Sequence, residues 1–253
     1  MIRALGLSLL LSFGAAAAAD VQPRQNAGPY VPSPQSVVAD MLRYAEVGPG
    51  DFLIDLGSGD GRIVLTAAKV FGARGFGVEI KDDLVKQANQ AAQAEGLADR
   101  VKFLKADLFK TDISQASVIT MYLLPDTVNL LKDKFLSELR PGTRIVSHDY
   151  PLTGWLPEKV EQFELEEKVQ ISGVTTTLIY LYIVPAKVQG RWSAKMPPAV
   201  SRAPATLSLT QQLTRVSGSA RLDGRVGERE GVRLRGGRNR FRLAGPKGVV
   251  TGP

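Results

Sequence analysis

The residues Asp55-Leu56-Gly57-Ser58-Gly59-Asp60-Gly61-Arg62 carry the densest chemistry in the chain. They follow the apolar run Phe52-Leu53-Ile54 and precede Ile63-Val64-Leu65-Thr66-Ala67-Ala68, a pattern that reads as strand, glycine turn and helix. Glycine at every second position removes the Cβ atoms that would hold a ligand off the main chain, and it permits positive φ angles. A large polar cofactor is therefore expected to lie on exposed peptide amides between the first strand and its helix.

Spacing separates the cofactors that could sit there. A dinucleotide fingerprint is G-x-G-x-x-G, with a pyrophosphate on the helix N-terminus and an acidic residue roughly 20 positions further on. Here the pattern is G-x-G-x-G, with Asp60 at the helix start. A carboxylate there repels pyrophosphate and suits a cationic amino acid end. The next strand, Arg74-Gly75-Phe76-Gly77-Val78-Glu79, ends in Glu79, placed to accept hydrogen bonds from two ribose hydroxyls. S-adenosylmethionine meets each demand, with its sulfonium, amino acid, ribose and adenine and no phosphate. The bland alternative, a tight turn with an incidental acidic residue downstream, leaves the pairing of turn and glutamate to chance.

Other reactive constellations are sparse. There are no cysteines, so disulfides, thiolate metal sites and cysteine nucleophiles are excluded. His148 is the single histidine, so a zinc site built on several imidazoles is impossible, and no metal ligand set is expected. His148 precedes Asp149, but adjacent residues of a continuing strand point to opposite faces, so a core or rim histidine is expected rather than a dyad. Ser58 lacks the nucleophile elbow of a serine hydrolase.

These residues need a scaffold, and the pattern around them supplies one. A helix is expected over Ser36 to Ala45, capped by Ser33 or Ser36. Helices then read over Arg62–Phe71, Asp82–Glu95 and Asp126–Leu139, and strands over Gly75–Glu79, Val101–Leu104, Ala116–Tyr122 and Arg144–Ser147. Alternation of this length implies βαβ units and a doubly wound, mostly parallel sheet with helices on both faces. Two more strands, Gln162–Ile171 and Thr175–Val184, form an expected antiparallel hairpin through Ser172-Gly173 and complete a seven-stranded α/β sheet. Beyond it, Ala205–Val216 and Val232–Leu243 alternate with period two and suggest a small β-rich appendix.

Composition sets the outer bounds. With 253 residues, 44% hydrophobic and 23% charged, the chain can bury one full domain plus a smaller appendix. Met1-Ile2-Arg3, the apolar run Ala4 to Ala19 and polar Asp20 form a secretory signal pattern. An uncleaved membrane anchor is the rival, because the run falls just short of the ~20 residues that span a bilayer. The expected division is 1–19 signal or anchor, 20–32 linker, 33–185 catalytic domain and 186–253 basic β-rich module. Export to the periplasm or exterior is expected, with membrane anchoring as the alternative. Residues 187–253 carry a net charge of +11 and the remainder −4. That basic module favours anionic membrane contact. It has only Trp192 and Phe241 for base stacking, which argues against nucleic acid.

With these residues located, the chain resembles class I S-adenosylmethionine-dependent methyltransferases over residues 30 to 185. The pairing of Tyr30-Val31-Pro32-Ser33-Pro34 with Asp55–Arg62 resembles, more narrowly, the small protein-lysine methyltransferases that modify the ATP synthase c subunit and the adenine nucleotide translocase. The Asp107-Leu108 pair and the spacing of Tyr150-Pro151 with Trp155 also match. The resemblance implies a Rossmann-like fold and methyl transfer from S-adenosylmethionine to a protein lysine, with a small molecule or lipid headgroup as the alternative acceptor and a non-catalytic cofactor-fold binding module as the alternative role. It implies that Asp55, Gly57, Ser58, Gly59 and Asp60 surround the methionine end, that Glu79 holds the ribose, that Asp107 and Leu108 border the adenine, and that Tyr30 and Pro32 close over the site. In this class the end of the fourth strand faces the methyl group, which makes Tyr122 and Asp126 the catalytic candidates.

Overall fold

A computed structural model describes residues 30–195, 203–222, 225–233, 242–245 and 248–251. The expected signal or anchor, residues 1–19, lies outside the described residues, as does most of the expected strand Val232–Leu243.

Helix α1 spans Gln35–Tyr44 and buries Val37, Val38, Met41 and Leu42, the helical-period stripe expected of an amphipathic segment. Its N-cap is Pro34, and no side chain caps it. The expected serine caps are thus corrected: Ser36 Oγ donates to Glu167 Oε1 at 3.0 Å, and Ser33 Oγ pairs with His148 Nδ1 at 2.9 Å. Both hydroxyls find acidic or imidazole partners far along the chain.

From there strands and helices alternate: β1 Phe52–Leu56, α2 Arg62–Phe71, β2 Arg74–Glu79, α3 Asp82–Ala94, β3 Val101–Lys105, β4 Val118–Met121, α4 Pro125–Leu130, α5 Lys132–Glu138 and β5 Arg144–His148. The helix expected over Asp126–Leu139 is two helices, interrupted at the fully buried Leu131. Strand β6, Lys159–Glu164, ends earlier than expected. A 3-10 turn, Glu166–Lys168, and a short α6, Val169–Ser172, precede β7, Thr176–Ile183. The run of Glu164, Glu166, Glu167 and Lys168 lacks the alternation a strand needs, and coiling turns Lys168 inward to 2% exposure.

The seven strands lie in the order β3-β2-β1-β4-β5-β7-β6. β1 to β5 pair in parallel, and β7 runs antiparallel to both β5 and β6. Strand order reverses between β1 and β4, and in open α/β sheets ligands bind outside the carboxyl ends at that point.

Alternation along each strand divides the core. Leu53, Val118 and Val146 pack with α1, α2 and α3 on one face, while Ile54, Leu56, Ile119, Met121 and Ile145 pack with α4 and α5 on the other. The register Asp55↔Thr120, followed by Met121↔Ser147, sets Asp55, Thr120, Tyr122 and His148 side by side on the α1 face.

The appendix forms an antiparallel sheet in the order β11-β10-β9-β8, from β8 Gly190–Ala194, β9 Ala205–Gln212, β10 Arg215–Leu222 and β11 Arg225–Arg233. A separate hairpin pairs β12 Arg242–Gly245 with β13 Gly248–Thr251.

Candidate active site

Gly57, Gly59 and Gly61 adopt φ of 80°, 54° and 84°, so the turn depends on glycine at all three positions. The space beside it is already shaped. A Cβ on Gly57 would lie 2.6 Å from Leu123 Cδ2, and one on Gly59 only 2.4 Å from Tyr30 Cε2.

The amides of the turn face inward, which corrects the expectation that they are exposed to a ligand. Gly57 and Ser58 both donate to the Val78 carbonyl at 2.9 Å, Gly61 donates to Ser58 O at 2.8 Å, and Gly59 donates to Glu79 Oε2 at 3.1 Å. Among the described residues nothing donates to the carbonyls of Gly57 and Gly59. The turn therefore offers oxygen acceptors, which suit an ammonium and exclude a phosphate.

Asp60 has a different task from the one expected. Its carboxylate pairs with the Arg62 guanidinium, Oδ2 to Nη2 at 2.6 Å, and accepts the Arg62 amide at 3.2 Å. Burial works to raise this carboxyl, but the hydrogen bonds from Arg62 outweigh it and hold it below the ordinary carboxylate range. Its charge is thereby matched by Arg62, and selection against phosphate falls to the inward-facing amides.

Arg62 received no separate role from its position in the motif, yet it ties the site together. Its Nη1 donates to Ser33 O at 2.9 Å, and burial together with the nearby Asp60 charge raises the Tyr30 phenol above its ordinary value. Tyr30 lies across Gly59, and half-buried Pro32 follows it. Residues 30–33 are thus fastened over the turn by Arg62 and to β5 by Ser33–His148. Nothing in local periodicity signals an attachment between segments 29 residues apart.

Beneath the turn, Asp55 is 1% exposed and accepts Thr120 Oγ1 at 2.8 Å. Burial pushes its carboxyl up to about 7, against the Thr120 hydrogen bond and with the nearby Asp60 and Glu79 charges adding to the rise. Asp55 therefore supports the turn from below. Ser58 packs on Gly77, where a Cβ would lie 2.4 Å from its Oγ, and that buried oxygen has no partner among the described residues.

Glu79 ends β2 as expected. Its Oε1 accepts the amides of Ile80 and Lys81 at 2.8 and 2.9 Å, leaving Oε2, which already holds Gly59, with a free lone pair for a ribose hydroxyl. Asp107 turns back to accept Phe109 N at 2.9 Å, and Leu108 is 8% exposed within the core cluster, offering an edge rather than a face.

At the ends of β4 and β5 the structure gathers a cluster that adjacency alone did not predict. Tyr122 stacks on His148 with ring centroids 4.0 Å apart, and its hydroxyl donates to Asp149 Oδ2 at 3.2 Å. Strand β5 stops at His148, and Asp149 has φ 62°, which swings its carboxylate back to 3.6 Å from His148 Nε2. That corrects the reason for doubting a dyad, though 3.6 Å is too long for a hydrogen bond. His148 is fully buried, and burial pushes its imidazole down to about 4, so it stays neutral. Lys168 Nζ sits 2.6 Å from Asp149 Oδ1, and Leu178 N donates to the same oxygen at 3.1 Å. Burial, and then the Asp149 charge, raise the Tyr122 phenol far above its usual value, so it stays protonated. Asp126 is not brought into this cluster. It stands exposed in the first turn of α4, where a carboxylate complements the helix dipole.

The sheet order, the acceptor-lined glycine turn and the carboxylate closing β2 define a class I S-adenosylmethionine-dependent methyltransferase. Comparison narrows this. The profile described as the ANTKMT methyltransferase domain matches residues 55–159. A protein-lysine N-methyltransferase of Saccharolobus islandicus is 41% identical over 157 residues, covering 62% of this chain and 93% of that protein. The mouse adenine nucleotide translocase lysine N-methyltransferase is 36% identical over 132 residues, which are 52% of this chain and 57% of that protein. The crystal structure of a Salinibacter ruber protein described as an RNA methyltransferase, in complex with S-adenosyl-L-homocysteine, is 44% identical with a TM-score of 0.56, covering 62% of this chain and 96% of that one. The chain belongs to this family of protein-lysine N-methyltransferases.

Proposed function

We propose that the protein transfers a methyl group from S-adenosylmethionine to the ε-amine of a lysine on another protein. The carrying observation is the Tyr122 hydroxyl. Its proton is committed to Asp149, and Tyr122 directly precedes Leu123, whose side chain meets Gly57 of the turn.

The bound cofactor supplies a methyl group already activated on a sulfonium. The carbonyls of Gly57 and Gly59 would take the ammonium of its amino acid end, Ser58 would add its unpartnered hydroxyl, and Glu79 Oε2 would take a ribose hydroxyl. Asp107 and Leu108 border the adenine, and Asp55 braces the turn through Thr120. Tyr30 and Pro32, fastened by Arg62, exclude water. The amine must first lose its proton to solvent, since an ordinary lysine titrates near 10.4. Its lone pair then forms the new C–N bond as the C–S bond breaks and that electron pair returns to sulfur. Alignment supplies much of the acceleration.

The relatives named for lysine substrates support this acceptor. The Salinibacter protein, named for RNA, favours a second reading in which the acceptor is RNA. The full chain, incubated with methyl-labelled S-adenosylmethionine and separated protein, RNA and lipid fractions, distinguishes the two. Methyllysine in protein supports the proposal, and label confined to RNA or lipid, or no label, refutes it.

The exported or membrane-anchored location argued from residues 1–19 remains part of the proposal, as does contact with an anionic membrane. By strand register Arg191, Arg215 and Arg221 share one exposed face of the appendix with Thr206, Ser208 and Ser219. Guanidinium and hydroxyl donors of that kind suit phosphate headgroups.

A further inference from the structure

Resting on the lysine acceptor proposed above, we infer that Lys168 is a positioning residue which cancels the charge of Asp149, so that the acceptor amine meets a neutral phenol oxygen and not an uncompensated carboxylate.

Four observations carry this. First, Asp149 holds φ 62°, a conformation that strains a non-glycine residue and persists where surrounding contacts over-determine it. Here Asp149 N donates to Leu178 O at 2.7 Å while its side chain receives Leu178 N, Lys168 Nζ and the Tyr122 hydroxyl. Second, the Lys168 ammonium is almost wholly buried and also donates to the Thr176 carbonyl. Buried ion pairs are poor stabilisers, because desolvation offsets the attraction, so stability alone does not account for one here. Third, the pair ends on Tyr122, whose ring neighbours those of His148 and Tyr150 at centroid distances of 4.0 and 6.4 Å. With its proton given to Asp149, Tyr122 keeps oxygen lone pairs that accept an N–H and fix the direction of the nitrogen lone pair. Fourth, the basic groups that face Asp149 among the described residues are His148 and Lys168, and His148 is neutral, which leaves the compensation to Lys168.

The chemistry requires this neutrality. A carboxylate within about 4–6 Å of an amine stabilises the ammonium and raises its pKa by roughly 1–3 units. An ammonium has no lone pair, so an unpaired Asp149 would hold the acceptor in its unreactive form. Lys168 removes that penalty and leaves the geometry of Tyr122 intact.

The test is the pH dependence of initial rates for methyllysine formation in a protein extract with labelled cofactor, between about pH 7 and pH 12, so that the levelling of the profile above the ordinary lysine value of about 10.4 is sampled. Lys168→Met should displace the rising limb, along which the acceptor amine loses its proton, to higher pH by about one unit or more, with a loss of roughly ten-fold or more near neutral pH. Lys168→Arg should restore the wild-type position. The double variant Lys168→Met with Asp149→Asn, which has neither charge, should also return the limb to its wild-type position even if the maximal rate stays low. Affinity for S-adenosylhomocysteine, measured by calorimetry on each variant, should change less than about three-fold, because the pair lies beside the acceptor and not the nucleoside. A Lys168→Met profile that falls without moving, or a double variant that stays displaced, overturns the inference. So does a loss of homocysteine-nucleoside binding that matches the loss of rate. If the wild-type chain forms no methyllysine, the failure lies instead with the lysine acceptor itself.

Discussion

Gly59→Ala separates the glycine turn's role in folding from its role in holding a cofactor. The new methyl group meets two penalties. At φ 54° an alanine sits in the left-handed region, which costs about 1–2 kcal/mol. Its Cβ would also lie 2.4, 2.9 and 3.5 Å from Tyr30 Cε2, Cδ2 and Cζ, where carbon atoms prefer roughly 3.5–4.0 Å. The ring has to retreat by about 1 Å or more. Tyr30 is 38% exposed, and its backbone is anchored two to three residues later, so the ring swings outward and the sheet stays put. The fold then loses only the backbone strain, a fall in Tm of about 2–4 °C per kcal/mol for a domain of this size. Cofactor affinity loses more, because the displaced ring no longer closes over the turn, and we expect a fall of about ten-fold or more in calorimetric binding of S-adenosylhomocysteine. Tyr30→Ala should weaken binding on its own. In the double variant the clash is gone, so Gly59→Ala should add little further loss, giving an interaction energy of about 1 kcal/mol or more. Losses that add within about 0.5 kcal/mol would show that ring and turn act independently and would refute the lid.

Glu79→Gln keeps the shape but lowers the acceptor strength facing the ribose and three backbone amides. Hydrogen bonds to charged groups are worth about 1.5–3 kcal/mol, so nucleoside affinity should fall roughly ten- to a hundred-fold in the same calorimetric assay. Arg62→Met should release residues 30–33, seen as faster hydrogen exchange and proteolysis of that segment. Arg62→Lys should not rescue it, because a point-like ammonium cannot reproduce the fork that holds both Asp60 oxygens and the Ser33 carbonyl at once. Burial sets the Asp55 carboxyl at about 7 against an ordinary 3.8, so the native state binds that proton more tightly than the unfolded chain. Its stabilising contribution is complete below about 3.8 and is lost as pH rises through about 7. Asp55→Asn should flatten this trend, with denaturant unfolding showing a gain relative to wild type on the order of 2 kcal/mol at pH 8 compared with pH 5. A constant difference at both pH values would exclude the assignment.

The turn, the strand-end carboxylate and the order of strands and helices were legible because each rests on local rules. Glycine spacing reports φ, and hydrophobic periodicity reports the buried face. The contacts that complete the site are long-range, and local rules are silent about them. Ser33 reads as a helix cap from its neighbours, yet its hydroxyl reaches His148, 115 positions away. Lys168 reads as a strand residue in an acidic run, and only the fold shows that it must answer Asp149 across 19 positions. Asp149 itself was misplaced because alternation assumes that the strand continues, and a positive φ ends it. The inward turn of the Gly57 and Ser58 amides likewise depends on Val78, which β2 delivers only when the sheet assembles.

The two ends of the sheet divide the labour. The residues proposed to serve cofactor and acceptor gather at the carboxyl ends of β1, β2, β4 and β5. The appendix leaves from the opposite edge, since Ile183, the last residue of β7, pairs with Arg144, the first of β5, whereas His148 pairs with Ile179. A five-residue strand spans about 17 Å, so β8 to β11 start roughly that far from the reacting atoms. Gln211 fastens the small sheet close to its point of departure, through Ala186 O and Val188 N, and Leu213 packs against the core there. The Saccharolobus relative matches over 93% of its length within 157 residues of this chain. The basic sheet lies outside the stretch that this match covers in extent, 157 residues of the 253. If the proposed contact with an anionic membrane holds, the arginine-bearing face belongs to a sheet that leaves the core at the edge opposite the proposed acceptor groups, which would separate the choice of location from the choice of lysine.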